Sequence, residues 1–112
     1  MKRGEIYTAR LEPFEGSEQG GTRPVIIVSR DAINQHSPVV LAVPCTTYRS
    51  GKRVFPTQVL IKKSESGLTR DSIAMADQVR VLAKPRLIKL LGNLSAIKLK
   101  ELNKALVIAL DI

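Results

Sequence analysis

The 112-residue chain has no tryptophan, one histidine and one cysteine, and its aromatic content is 4%. So few rings leave little for a base-stacking platform, which argues against an RRM-like RNA reader. The core must therefore rest on Val, Ile, Leu and Ala. With His36 alone, two-histidine RNA cleavage has no second partner, and no His/Cys cluster exists for zinc. A single loop histidine is ordinarily structural or incidental. Cys45, being unique, rules out an internal disulfide and fits a reducing compartment, the cytoplasm by default. The carboxylates show no DxD-like or ExxH-like spacing, so neither a hydrolytic metal nor any other cofactor is expected. The stretch Gly16 to Gly21 lacks the Lys-Ser/Thr ending and following helix of a phosphate-binding P-loop. Long apolar runs are missing too. Met1-Lys2-Arg3-Gly4-Glu5 leads into a short strand-like run, and neither a signal peptide nor a membrane span is expected.

Negative charge is in deficit: 18 Lys+Arg oppose 10 Asp+Glu, for a formal net charge of +8, and the sequence pI is about 10.1. Polyanions are natural partners for such a surface, through counterion release and electrostatic steering. Charge alone does not choose among RNA, DNA, an acidic membrane and an acidic protein, and a basic surface serving only solubility fits equally well.

Against these absences stands a hydrophobic fraction of 44%, enough for an ordinary packed core. The length suits one domain over residues 1–112. Ile6 to Leu11 runs near period two, with Tyr7, Ala9 and Leu11 on one face and Ile6, Thr8 and Arg10 on the other, as a half-buried strand would. Glu12 to Thr22 is polar and glycine-rich and reads as a long flap-like loop. Arg23-Pro24 opens the buried strand Val25 to Ser29, with proline confined to its first residues. A helical turn over Ser29 to Asn34, a break at His36-Ser37-Pro38, and a strand Val39 to Val43 follow. The cluster Pro44 to Arg53 reads as a strand end and then a turn or loop. Further strands are expected at Thr57 to Ile61 and as a pair within Ser72 to Leu82, split near Asp77, with a turn at Ser64-Glu65-Ser66-Gly67. Pro85 is expected to start a short helix through Leu91, stopped by Gly92-Asn93. Ser95 is expected to cap a final helix whose Leu99, Leu102 and Leu106 share one face. Short strands followed by helices, without βαβ alternation, point to a β-rich α+β fold: a small SH3-like open barrel or curled antiparallel sheet with a C-terminal helix.

What remains for chemistry is a set of Arg, Thr, Ser and Gln residues at strand ends beside a loop. RNA carries its own nucleophile, the 2′-OH, which needs orientation, deprotonation and stabilisation of a phosphorane. An arginine suits the last role because its charge is permanent and its donors are forked, and a threonine hydroxyl adds a hydrogen bond at stiff χ1. Taken alone, however, an Arg at a strand start is more often a surface residue and a Thr at a strand end a satisfied turn hydroxyl.

The block Gly16-Ser17-Glu18-Gln19-Gly20-Gly21-Thr22-Arg23-Pro24-Val25, preceded by Lys2-Arg3-Gly4-Glu5-Ile6-Tyr7, resembles the first signature of the MazF/PemK (Kid) toxins of type II toxin–antitoxin systems. The likeness continues through Ser37-Pro38, Thr46-Thr47, Arg70-Asp71-Ser72 and Asp77-Gln78-Val79-Arg80 to the terminal helix. It implies a CcdB/PemK-like fold and a sequence-specific, metal-independent endoribonuclease, an mRNA interferase. Such an enzyme cuts single-stranded RNA (mRNA, with tRNA or rRNA as further candidates) to 2′,3′-cyclic phosphate and 5′-OH ends. It also implies a homodimer neutralised by an acidic MazE/PemI-like antitoxin. In this likeness Arg23 stabilises the phosphorane and Thr46 hydrogen-bonds the scissile phosphate. Glu18 is the candidate general base, against the alternative of a solvent-facing loop residue. Ser17, Gln19 and Gln78 would contact RNA, Gln78 at a base edge. Arg49, Lys52 and Arg53 would follow the backbone or simply form a solvated basic loop, and Asp71 and Arg80 are candidates for structural pairing within the sheet. Pro44-Cys45 stands before Thr46 where many relatives carry simpler apolar residues. Thr47 offers a second hydroxyl, and strand alternation decides which of the two faces Arg23. Two other classes stay open: a CcdB-like gyrase-binding toxin, although this chain ends Leu110-Asp111-Ile112 and has no Trp-Gly-Ile terminus, and a non-catalytic nucleic-acid-binding barrel.

Overall fold

A computed structural model describes residues 1–112. Seven strands, β1 (Glu5–Arg10), β2 (Thr22–Ile27), β3 (Val39–Thr47), β4 (Gln58–Ile61), β5 (Ser72–Met75), β6 (Arg80–Ala83) and β7 (Leu87–Asn93), precede the C-terminal helix α2 (Ala96–Leu110), and a short helix α1 (Asp31–His36) joins β2 to β3. All pairings are antiparallel. The strand order is β4-β5-β3-β2-β1-β7, with β6 on β3 off that path, so the sheet curls without closing.

Strand β3 organises the curl. Its first half pairs with β6, from Val39↔Ala83 to Ala42↔Arg80, and its second half with β5, from Cys45↔Ala74 to Thr47↔Ser72. The 3-10 turn Ala76–Gln78 lifts the chain out of the sheet between those two strands. The split expected near Asp77 falls at this turn.

The apolar run in β2 is continuous because both faces of the sheet are covered. Ile26 joins Ile6, Val43, Cys45, Val59 and Leu102 in one core cluster, while Val25 and Ile27 join Ala9, Leu11, Val40, Ala42 and Leu82 in another. Helix α2 seals the first cluster. Its Leu102 and Ala105 are buried, and Leu99 and Leu106 pack beside them. Burying Leu102 contributes about 1.5–3 kcal/mol. The Ser95 side chain caps the helix by accepting the Lys98 N–H at 3.2 Å. Arg3 ties the helix to the end of β2, donating from Nε to the Val28 carbonyl at 2.8 Å and from Nη2 to Asn103 Oδ1 at 2.7 Å.

The helix expected from Pro85 to Leu91 does not form. Lys84–Arg86 is a 3-10 turn, and Leu87–Asn93 is β7, paired with β1. Pro85 does set the turn, but no side chain caps it, and helix in this segment would leave the β1 edge unpaired. Gly92 is thus a crossing point and not a helix stop: a Cβ there would lie 2.2 Å from the Ser66 carbonyl oxygen.

Candidate active site

Arg23 stands near the start of β2 and Thr46 near the end of β3. The ladder Val25↔Pro44, Ile26↔Val43, Ile27↔Ala42 stops before Pro24, which has no N–H to offer. Continued by two residues, the same register sets Arg23 opposite Thr46. Side chains two apart on a strand share a face. Arg23 and Thr46 therefore rise at the rim of the cluster holding Val25, Ile27 and Ala42, on the side of the sheet away from α2.

A loop carbonyl aims the arginine. Arg23 Nε donates to the Gly20 carbonyl oxygen at 2.7 Å, which leaves the forked Nη1 and Nη2 groups for the cleft. Nη1 lies 3.4 Å from Thr46 Oγ1, too long for a strong hydrogen bond, so both groups keep capacity for a ligand. Gly20 itself is buried under Phe14, and a Cβ there would meet the ring at 2.0 Å. The Leu11 N–H to Gly21 carbonyl bond at 2.8 Å and the Gly21 N–H to Glu12 Oε1 bond at 2.7 Å close the base of the loop.

Around this pair lies a cleft of about 250 Å³, lined by Thr22, Arg23, Pro24, Cys45, Thr46, Thr47, Leu68, Thr69, Arg70 and Ser72. Two guanidinium groups, several hydroxyls and no carboxylate give it a lining that suits an anion. Cys45 takes no part as a nucleophile: burial pushes its thiol up to about 12. No group of three or more His, Cys, Asp or Glu side chains gathers to form a metal site.

The other expected residues divide. Ser17, Glu18, Gln19 and Gln78 line a neighbouring depression of about 390 Å³, together with Pro44, Asp77, Val79 and Arg80. The Gln19 N–H donates to Gln78 Oε1 at 3.0 Å, and Gln78 Nε2 reaches the Ser17 carbonyl at 3.4 Å. Gln19 Oε1 is buried with no partner. Glu18 Oε1 accepts the Glu15 N–H at 2.7 Å, within the loop's own turn. Thr47 lines the Arg23 cleft but sits one residue out of phase with Thr46, opposite Ser72. Arg49, Lys52 and Arg53 lie exposed beyond β3, with the Arg53 guanidinium 5.0 Å over the Phe55 ring. Asp71 and Arg80 do not pair with each other. Asp71 Oδ1 accepts the Lys63 N–H at 2.8 Å, whereas Arg80 faces the depression beside Gln78. Sequence reasoning misses Leu68, Thr69 and Arg70 as site residues. Arg70 belongs to the Arg70-Asp71-Ser72 motif, but no spacing shows that the β4–β5 connection folds back beside β2.

A family model described as PemK-like, MazF-like toxin of type II toxin-antitoxin system matches residues 2–110. A protein of Staphylococcus saprophyticus named Endoribonuclease MazF is 46% identical over 112 residues, spanning 100% of this chain and 92% of that one. Among solved structures, a mycobacterial endoribonuclease in complex with its cognate antitoxin matches at TM-score 0.82 with 33% identity, covering 100% of this chain and 96% of that chain. MazF of Deinococcus radiodurans matches at TM-score 0.83 with 26% identity, covering 100% of this chain and 97% of that chain.

Proposed function

Since the chain belongs to the PemK-like, MazF-like toxin family of type II toxin–antitoxin systems, we propose that Arg23 and Thr46 form the cleavage centre of a sequence-specific endoribonuclease. The chain is the toxin of such a system, and single-stranded RNA, mRNA foremost, is its substrate. The single observation that carries the assignment is the cross-strand pairing of a loop-aimed guanidinium with a threonine hydroxyl in a cleft free of carboxylates.

The ribose 2′-OH attacks the adjoining phosphorus, a 2′-O–P bond forms, and the P–O5′ bond breaks, the departing O5′ taking a proton from solvent. The products are a 2′,3′-cyclic phosphate and a 5′-OH. Arg23 directs its free donors at the non-bridging oxygens, whose charge rises in the phosphorane, and Thr46 adds one hydrogen bond of fixed direction. The 2′-OH proton needs an acceptor. Glu18 serves that role once the loop carries it from the neighbouring depression to the cleft; its Oε1 accepts the Glu15 N–H and its Oε2 is free. Ser17, Gln19 and Gln78 hold bases in the neighbouring depression that they line. Thr47, Arg49, Lys52 and Arg53 meet the RNA backbone. The chain works in the cytoplasm as a homodimer, and an acidic antitoxin complements its +8 charge. No helix is long and apolar enough to cross a membrane.

The test is cleavage of single-stranded RNA by the purified protein in EDTA, beside an oligonucleotide with hydrogen in place of the 2′-OH at the cut. The ribose substrate is expected to be cut and the deoxy substrate spared. Cleavage of both would overturn the mechanism.

A further inference from the structure

The cleft around Arg23 and Thr46 does not end at Arg70. It opens into a further depression of about 380 Å³, walled by Tyr48, Arg49, Lys63 and Asp71 and sharing Thr47, Thr69 and Arg70 with the cleft. Three cations from separate stretches of chain meet here. Arg49 follows β3, Lys63 opens the 3-10 turn after β4, and Arg70 precedes β5.

These cations differ from the arginines that hold the fold. Arg3 and Arg86 give their guanidinium hydrogens to backbone carbonyls, those of Val28 and of Arg10 and Glu12. The Arg49 and Arg70 guanidinium groups and the Lys63 ammonium have no protein partner, and the chain's one salt bridge is Lys98 to Glu101. Asp71, the only carboxylate in the depression, spends Oδ1 on the Lys63 backbone N–H and not on a side-chain cation. Gathering unpaired cations costs Coulomb energy that a bound anion recovers. Because Arg70 lines both hollows, an anion here is next in line to the one held by Arg23 and Thr46. In a polynucleotide that neighbour is another phosphate.

We propose that this depression seats the RNA phosphate adjacent to the scissile one, with Arg70 reaching between the two and Arg49 and Lys63 closing on the outer one. The inference rests on reading Arg23 and Thr46 as the cleavage centre. It adds Lys63 and Arg70 to the substrate track and fixes the side on which the strand leaves the site. Lys52 and Arg53 lie outside this seat.

A substitution cycle tests it. After the cut site is mapped by sequencing fragment ends, RNA carrying that site and a single 2′-deoxy ribose at the cut is made with a neutral methylphosphonate at each flanking phosphate in turn. Binding is measured for the wild type and for the Arg49→Ala/Lys63→Ala variant, both positions being exposed. In the wild type, one methylphosphonate next to the cut should weaken binding about tenfold, the scale of one charge-assisted contact. In the variant, where only Arg70 still reaches that phosphate, the same replacement should cost much less, and the slope of log K against log salt should be shallower by about 0.7. An equal methylphosphonate penalty in both proteins overturns the inference. So does a variant that binds RNA normally but loses binding to a polyglutamate peptide, since the depression would then be a protein-docking site. A wild-type protein that leaves all-ribose RNA intact defeats the cleavage reading and this inference with it. Wild-type cleavage with an unchanged penalty defeats the inference alone.

Discussion

Replacing Thr46 with valine removes one hydroxyl and almost nothing else. Valine keeps the β-branched shape that suits a strand, and within the protein the hydroxyl meets only Arg23 Nη1, at a long 3.4 Å. Thr46 is half-buried at a strand end, so folding stability should change by less than about 1 kcal/mol. Catalysis should respond differently. A hydrogen bond from that hydroxyl to a charged phosphate is worth about 1.5–3 kcal/mol, so kcat/KM should fall by about 10- to 150-fold. Thr47→Val should cost less than Thr46→Val, because Thr47 lines the cleft but alternation turns its hydroxyl away from Arg23 Nη1. The assay is initial-rate cleavage of a short single-stranded RNA below KM, with thermal melts of each variant to confirm the fold. A larger loss from Thr47→Val than from Thr46→Val would refute the register argument and the assignment built on it.

Gly20→Ala should lower kcat by about tenfold or more, because the new Cβ would lie 2.0 Å from the Phe14 ring and would displace the carbonyl that aims Arg23. Adding Phe14→Ala should restore much of that loss, and a single variant with wild-type kcat would show that the Gly20 carbonyl does not orient the arginine. The Cys45 thiol, raised by burial from 9.0 to about 12, contributes stability that is complete below about pH 9 and lost as the pH climbs toward about 12. Over that window the unfolded chain sheds the proton first, so stability should fall by up to about 1.4 kcal/mol per pH unit. Urea titrations from pH 8 to 10.5 should show a flatter fall for Cys45→Ala, and parallel curves for the two proteins would contradict the buried, protonated thiol.

Local pattern carried much of the architecture. The alternation in Ile6 to Leu11 separates two real faces, since Ile6 enters one core cluster and Ala9 and Leu11 the other. The leucine spacing after Ser95 identified α2 and its buried side. The loop before Arg23 was legible from its glycines. Leu87 to Leu91 was not, because Leu-Ile-Lys-Leu-Leu suits helix and strand alike and only the open edge of β1 selects the strand.

By itself the sequence determined which chemistry the chain can carry, a permanent cation and hydroxyls with no metal-ligand cluster. It also determined where the strands, β7 excepted, and the last helix lie, because these follow from side-chain type and short-range spacing. The tertiary structure alone decided that Arg23 faces Thr46 rather than Thr47, that Glu18 is held in its own turn, and that Arg70 joins the cleft. Those outcomes depend on cross-strand register and loop return between residues far apart in the chain, and no local period encodes either one.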